Sequence, residues 1–151
     1  MPFSGPGGVA MNPRNRALLR ALVPIALMGV IFFFSAQPAG AHHAWWVIVF
    51  RKLGHITGYA LLTGAWAWAL RGVVGRPVLW AVGIAFAYAC TDEFHQTFVS
   101  GRTGTPRDVG IDAIGMAIAA LVIWMRRSAP TGWGRTHARG SASKSSLARS
   151  P

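Results

Sequence analysis

Acidic residues are scarce in this chain. Asp92, Glu93, Asp108 and Asp112 are the only carboxylates among 151 residues, and all four lie between positions 92 and 112. Charged residues of both signs make up only 13% of the chain, against 52% apolar residues, too little charge to clothe an ordinary soluble domain. Cysteine is nearly absent too. Cys90 stands alone, which excludes an intramolecular disulfide and any CxxC-type zinc site, and its apolar surroundings predict a small packed residue inside the third helix. The shortage of acids leaves a net charge of +11. Such a charge can signal nucleic-acid binding. Here the cations flank apolar stretches and populate the tails, as they do on the cytoplasmic side of membrane proteins, so no nucleic-acid partner is expected.

What the chain has is long apolar segments. Residues 21–36, 53–70, 78–91 and 109–125 each approach or reach the roughly 20 residues of a spanning helix. The reading is an all-α membrane protein with four transmembrane helices. Residues 1–16, rich in Gly and Pro, read as a disordered N-terminus; 17–127 as the four-helix membrane domain; and 128–151 as a disordered basic cytoplasmic tail. Eleven Lys and Arg fall before the first helix, between the second and third, or after the fourth, against four (Arg51, Lys52, Arg102, Arg107) on the other side. The positive-inside rule then places both termini in the cytoplasm of a bacterial cell, with the protein in the inner membrane. Trp66, Trp68, Trp80 and Trp124 fall near the cytoplasmic ends, as an interfacial aromatic belt, and residues 44–50 read as a short outer segment lying in the interface. Ala39-Gly40-Ala41 offers an alternative, a signal-peptide cleavage pattern that would leave three helices.

Polar residues inside these segments form stripes. At about 100° per residue, Lys52, His55, Tyr59 and Thr63 share one narrow arc of the second helix, and in lipid such a stripe must face protein or trapped water. Gly54 and Gly58, on another side, form a G-x-x-x-G that permits close helix contact. In the third segment Tyr88, Asp92, His95 and Gln96 share a face, with Glu93 about a quarter turn away. The fourth opens with Asp108 and Asp112 one turn apart, above the small residues Gly115 and Ala119. A turn-rich loop, 99–107, joins the last two helices and is short enough to hold Arg102 and Arg107 over the same spot. The stripes thus converge at one end of the bundle, with Lys52, Arg102 and Arg107 opposing the four carboxylates. His42, His43 and His137 read as bland loop and tail residues.

Phe34-Ser35-Ala36-Gln37-Pro38, Lys52-x-x-His55-x-x-x-Tyr59, Asp92-Glu93-x-His95-Gln96-x-Phe98, Gly101-Arg102, Asp108-Val109 and Gly115, in this order, resemble the VanZ-like family of bacterial membrane proteins. The resemblance covers about residues 34–121. It implies an inner-membrane protein with a polar site facing the envelope, and a link to glycopeptide (teicoplanin) resistance in some members. The chain departs from the family pattern at Asp112, where Asn is usual; Asp adds charge one turn below Asp108.

Three functional readings follow. In the first, Lys52, His55, Tyr59, Asp92, Glu93, His95, Gln96, Arg102, Arg107, Asp108 and Asp112 form a binding site for an anionic membrane lipid or a lipid-linked envelope precursor, whose phosphate the cations receive. In the second, Asp92, Glu93, His95 and Asp108, joined by His55, hold a divalent metal, Glu93 or His55 serves as general base, and the protein is a hydrolase or transferase acting on a lipid-linked substrate. In the third, the polar cluster is a structural ion-pair network.

Overall fold

The structure, a computed structural model, describes residues 12–38 and 45–128. The remaining residues, which include the possible cleavage pattern, His42, His43, His137, most of the N-terminal stretch and nearly all of the basic tail, lie outside the described residues. Four helices follow in order: α1 (Pro13–Ser35), α2 (Trp45–Ala69), α3 (Pro77–Gln96) and α4 (Pro106–Ser128). Three begin on proline, which fits the first helical position because its missing N–H would have had no partner there. The helix α1 starts at Pro13, within the stretch expected to be disordered, because Asn15–Leu22 already pairs helix-forming residues with an apolar side. Residues 45–50 are not a separate interfacial segment: nothing interrupts the backbone bonds after Trp46, and they form the first turns of α2.

Two helices, α1 over Asn15–Ser35 and α4 over Pro106–Ser128, are long and apolar enough to cross a membrane. The outside of the bundle is apolar: Leu18, Leu22, Phe33, Phe34, Leu61, Leu79, Trp80, Leu121 and Trp124 are all exposed. Its inside holds Asp92, Glu93, Gln96 and Asp112, all buried. Charges inside and hydrocarbon outside invert the pattern of a water-soluble bundle and match a bilayer environment. Cys90 follows the outer surface and is exposed on α3, not packed inside it.

The interior is built from small residues. Ala67, Ala81, Ala85 and Ala89 are fully buried, the last two in a cluster with Tyr59, Leu62 and Met116, and α2 packs most extensively on α4. The two backbones come close at Gly115, where a Cβ would collide with the carbonyl oxygen of Ile56 and lie 3.1 Å from the nitrogen of Ala60. This is the close contact that the stripe of small residues on the fourth helix predicted. The G-x-x-x-G of α2 makes no such contact. A Cβ at Gly54 would meet open space, and one at Gly58 would meet Ile31 at an ordinary 3.5 Å. Periodicity gave these glycines a direction, but no tight partner stands on that side. The helix α1 rests on α2 and touches α3 only lightly, where the Tyr88 hydroxyl donates to the carbonyl of Met28 at 2.7 Å. At one end of the bundle the Arg20 guanidinium lies 5.1 Å from the centre of the Trp68 ring. The polar residues gather at the other end.

Candidate functional site

The turn from α3 into α4 builds much of the site. After Gln96 the chain continues in tight turns to Gly101, whose φ of 75° is left-handed backbone that a side chain would strain. Gly104 then passes so close to α3 that a Cβ would strike the carbonyl oxygen of Glu93. Thr105 precedes α4, and its hydroxyl donates to Asp108 Oδ2 at 2.9 Å, a Thr-x-x-Asp arrangement at a helix start. The backbone N–H of Thr105 donates to Glu93 Oε2 at 3.1 Å, so a carboxylate of α3 closes the N-terminus of α4.

Two ion pairs join α2 to α4. Lys52 Nζ donates to Asp108 Oδ1 at 3.0 Å, with both side chains partly exposed. One turn deeper, His55 Nδ1 lies 3.0 Å from Asp112 Oδ1, and Asp112 is fully buried. The one-turn spacing on each helix and the close approach at Gly115 bring both pairs into register. Thr63, deepest in the stripe, turns inward on its own helix and donates to the carbonyl of Tyr59 at 2.8 Å.

Gln96 holds the carboxylates of α3. Its amide donates to Asp92 Oδ2 at 3.3 Å and to Glu93 Oε1 at 3.2 Å, and its carbonyl accepts from Arg102 Nη1 at 3.3 Å. Arg102 also donates to two backbone carbonyls at the end of α1, Phe34 at 2.8 Å and Gln37 at 2.9 Å. The guanidinium therefore ties together the Phe34-Ser35-Ala36-Gln37, Gly101-Arg102 and Asp92-Glu93-x-His95-Gln96 motifs. Burial, and then the neighbouring charge of Arg51, hold the Arg102 guanidinium below its ordinary value, though an arginine keeps its charge throughout the physiological range.

The structure thus brings together Lys52, His55, Tyr59, Asp92, Glu93, Gln96, Arg102, Asp108 and Asp112. His95 and Arg107 stand apart. The ring of His95 lies against Phe32 of α1, centroids 4.6 Å apart, because it and Tyr88 occupy the edge of the α3 face that turns toward α1, while Glu93 and Gln96 turn toward α4. Arg107 is exposed, with no ion pair or hydrogen bond among the described residues. The helix α4 begins at Pro106, and its first turn sends Arg107 outward where Asp108 turns inward. The cation that does reach the site is Arg51. It sits one turn before His55 and lines the same cleft as Lys52, His55, Glu93 and Arg102. Its place on the minority-charge side, beside Lys52, was the available signal. The backbone N–H of Thr105 was missed as well; the Thr-x-x-Asp spacing was its signal.

This polar cleft measures about 170 Å³. It adjoins a larger groove of about 610 Å³ between α1 and α2, lined by apolar residues such as Leu27, Ile31 and Leu61, with Arg51, His55 and Arg102 shared between the two. Neither Arg51 nor Arg102 has a carboxylate partner among the described residues. The arrangement can therefore receive an anion beside an apolar chain.

Comparison with known proteins agrees with the motifs. No curated protein and no solved structure matches the sequence. The profile of the VanZ/LLP1 family matches residues 20–127, which takes in most of α1, all of α2 and α3, nearly all of α4, the paired Lys52–Asp108 and His55–Asp112, and the Arg102 turn. The chain is a member of the VanZ/LLP1 family.

Proposed function

We propose that this VanZ/LLP1-family protein is a multi-pass protein of the bacterial inner membrane and binds an anionic, lipid-linked molecule of the cell envelope. All four helices span the bilayer with both termini in the cytoplasm, and the polar end faces the extracytoplasmic side. The apolar exterior and the distribution of Lys and Arg support this placement. The observation that carries the binding reading is the position of Arg51 and Arg102. Two cations free of carboxylate partners stand where a polar cleft meets an apolar groove. A phosphate-bearing headgroup satisfies both guanidinium groups, and its hydrocarbon chain fills the space between α1 and α2. Lys52, already paired with Asp108, adds a third positive group at the rim. Any change in teicoplanin susceptibility would be a cellular consequence, separate from the binding itself.

The test is native mass spectrometry of the full chain in detergent, titrated with phosphatidylglycerol, a polyprenyl phosphate, phosphatidylcholine and inorganic phosphate. The anionic lipids should form adducts at concentrations where phosphatidylcholine and free phosphate do not. Arg51→Gln, which removes an exposed side chain with no other role, should weaken them by about tenfold, equivalent to about 1.4 kcal/mol. Equal binding of the zwitterionic lipid, or unchanged binding in Arg51→Gln, overturns the reading.

A further inference from the structure

We propose that His55, Glu93 and Asp112 form a site for a divalent transition-metal ion at the buried floor of the polar cleft. This inference does not depend on lipid binding. One nitrogen of His55 and one oxygen from each of Glu93 and Asp112 all lie within 4.8 Å of one another. The His55–Asp112 distance of 3.0 Å is that of two neighbouring ligands at about 90° around an ion about 2.1 Å from each.

Independent of that spacing, the buried oxygens near it lack partners. Asp112 is 0% exposed, and while its Oδ1 meets His55, its Oδ2 has no hydrogen-bond partner among the described residues. The same holds for Asp92 Oδ1 and for the hydroxyl of Tyr59, both buried. The Tyr59 ring stacks beside that of His55, centroids 6.3 Å apart. Natural proteins seldom leave buried polar atoms unpaired. An ion held by Asp112 gives its open oxygen a partner.

Charge points the same way. Asp92, Glu93 and Asp112 are buried. Lys52 is engaged by Asp108, and Arg102 by Gln96 and two carbonyls. His55 and Arg102 act on the three carboxylates, two basic groups against three acids, and a buried excess of negative charge is costly without a further cation. The ligands are also held from behind. Gln96 fixes one oxygen of Glu93 and the Thr105 N–H fixes the other, the outer support that positions metal ligands elsewhere. An imidazole nitrogen among carboxylates selects an ion from manganese to zinc over calcium or magnesium. The cleft, which His55 and Glu93 line, gives such an ion its way in.

The experiment is metal analysis of the purified full chain, stripped with chelator and dialysed against micromolar Mn²⁺ or Zn²⁺. About one ion per chain should be retained, as for a single closed site. Asp112→Asn preserves shape and hydrogen bonding but removes a ligand charge, and should weaken retention by at least about tenfold. Glu93→Gln should do the same and serves if Asp112→Asn fails to fold. Arg51→Gln should retain the ion while losing anionic lipid, so the two proposals fail separately. Retention of neither metal by the wild-type protein, or equal retention in the Asp112→Asn and Glu93→Gln variants, overturns the site; the carboxylates would then be balanced by protons.

Discussion

His55 and Asp112 stand 57 positions apart in the chain, and their side chains meet at 3.0 Å with Asp112 wholly buried. The contact exists because α2 and α4 touch at Gly115, one turn from Asp112, where Ile56 presents its carbonyl. Packing and electrostatics are therefore a single arrangement here, and the first two predictions follow from it.

Gly115→Ala should separate α2 from α4. The added carbon meets backbone, which cannot rotate away, so the cost should be about 1–3 kcal/mol, the usual range for overpacking. Thermal unfolding in detergent measures it. Gly54→Ala, whose Cβ enters open space, should leave the midpoint nearly unchanged and serves as the control.

His55→Ala leaves Asp112 buried with neither oxygen partnered. Removing one member of a buried pair costs about 3–5 kcal/mol. His55→Gln, which can still donate to the carboxylate, should recover much of that loss. Equal melting of the two variants would show that the ion pair contributes little.

Lys52→Met should behave differently. The Lys52–Asp108 pair is partly exposed, and Asp108 keeps Thr105 as a donor. Exposed pairs contribute about 0–1 kcal/mol, so thermal stability should hardly move.

Arg102→Lys keeps the charge and loses the geometry. One ammonium cannot reach the carbonyls of Phe34 and Gln37 and the Gln96 side chain from the positions that the three guanidinium nitrogens occupy. Hydrogen exchange should quicken at residues 34–37 and 99–105 together. Faster exchange in the loop alone would mean that Arg102 does not secure α1.

The proposed orientation has its own test. In a Cys90→Ser background, Thr103→Cys should react with a membrane-impermeant maleimide on intact cells, and Val74→Cys only after permeabilisation. The reverse pattern would invert the topology and place the cleft in the cytoplasm.

Much of the fold was legible because hydropathy, proline positions and charge flanks are local signals. The number of helices, their approximate limits and the end at which polar residues collect all follow from them. The stripes also gave the right direction for Lys52, His55 and Tyr59. Failures came where direction depends on a neighbour. A helical period says that His95 lies beside Asp92, yet whether that edge meets α4 or α1 depends on how the bundle is ordered. Arg107 was assigned to the loop, but one residue of helix beyond Pro106 was enough to turn it outward. Gly54 and Gly58 share a face with nothing tight against it. Arg51 counts in the sequence only as a minority-side cation beside Lys52, and its direction depends on the groove behind it.

Arg102 ends α1 as well as facing the cleft. The final carbonyls of a helix lack intrahelical donors, and the guanidinium donates to one of them at Phe34 and to the carbonyl of Gln37 just beyond the helix. A negatively charged guest drawing on that cation competes with the helix terminus for the same hydrogens. Occupancy and fraying of the last turn of α1 are then linked in both directions, so a spectroscopic label near Gln37, on the wall of the apolar groove, would also report filling of the polar cleft that it does not line.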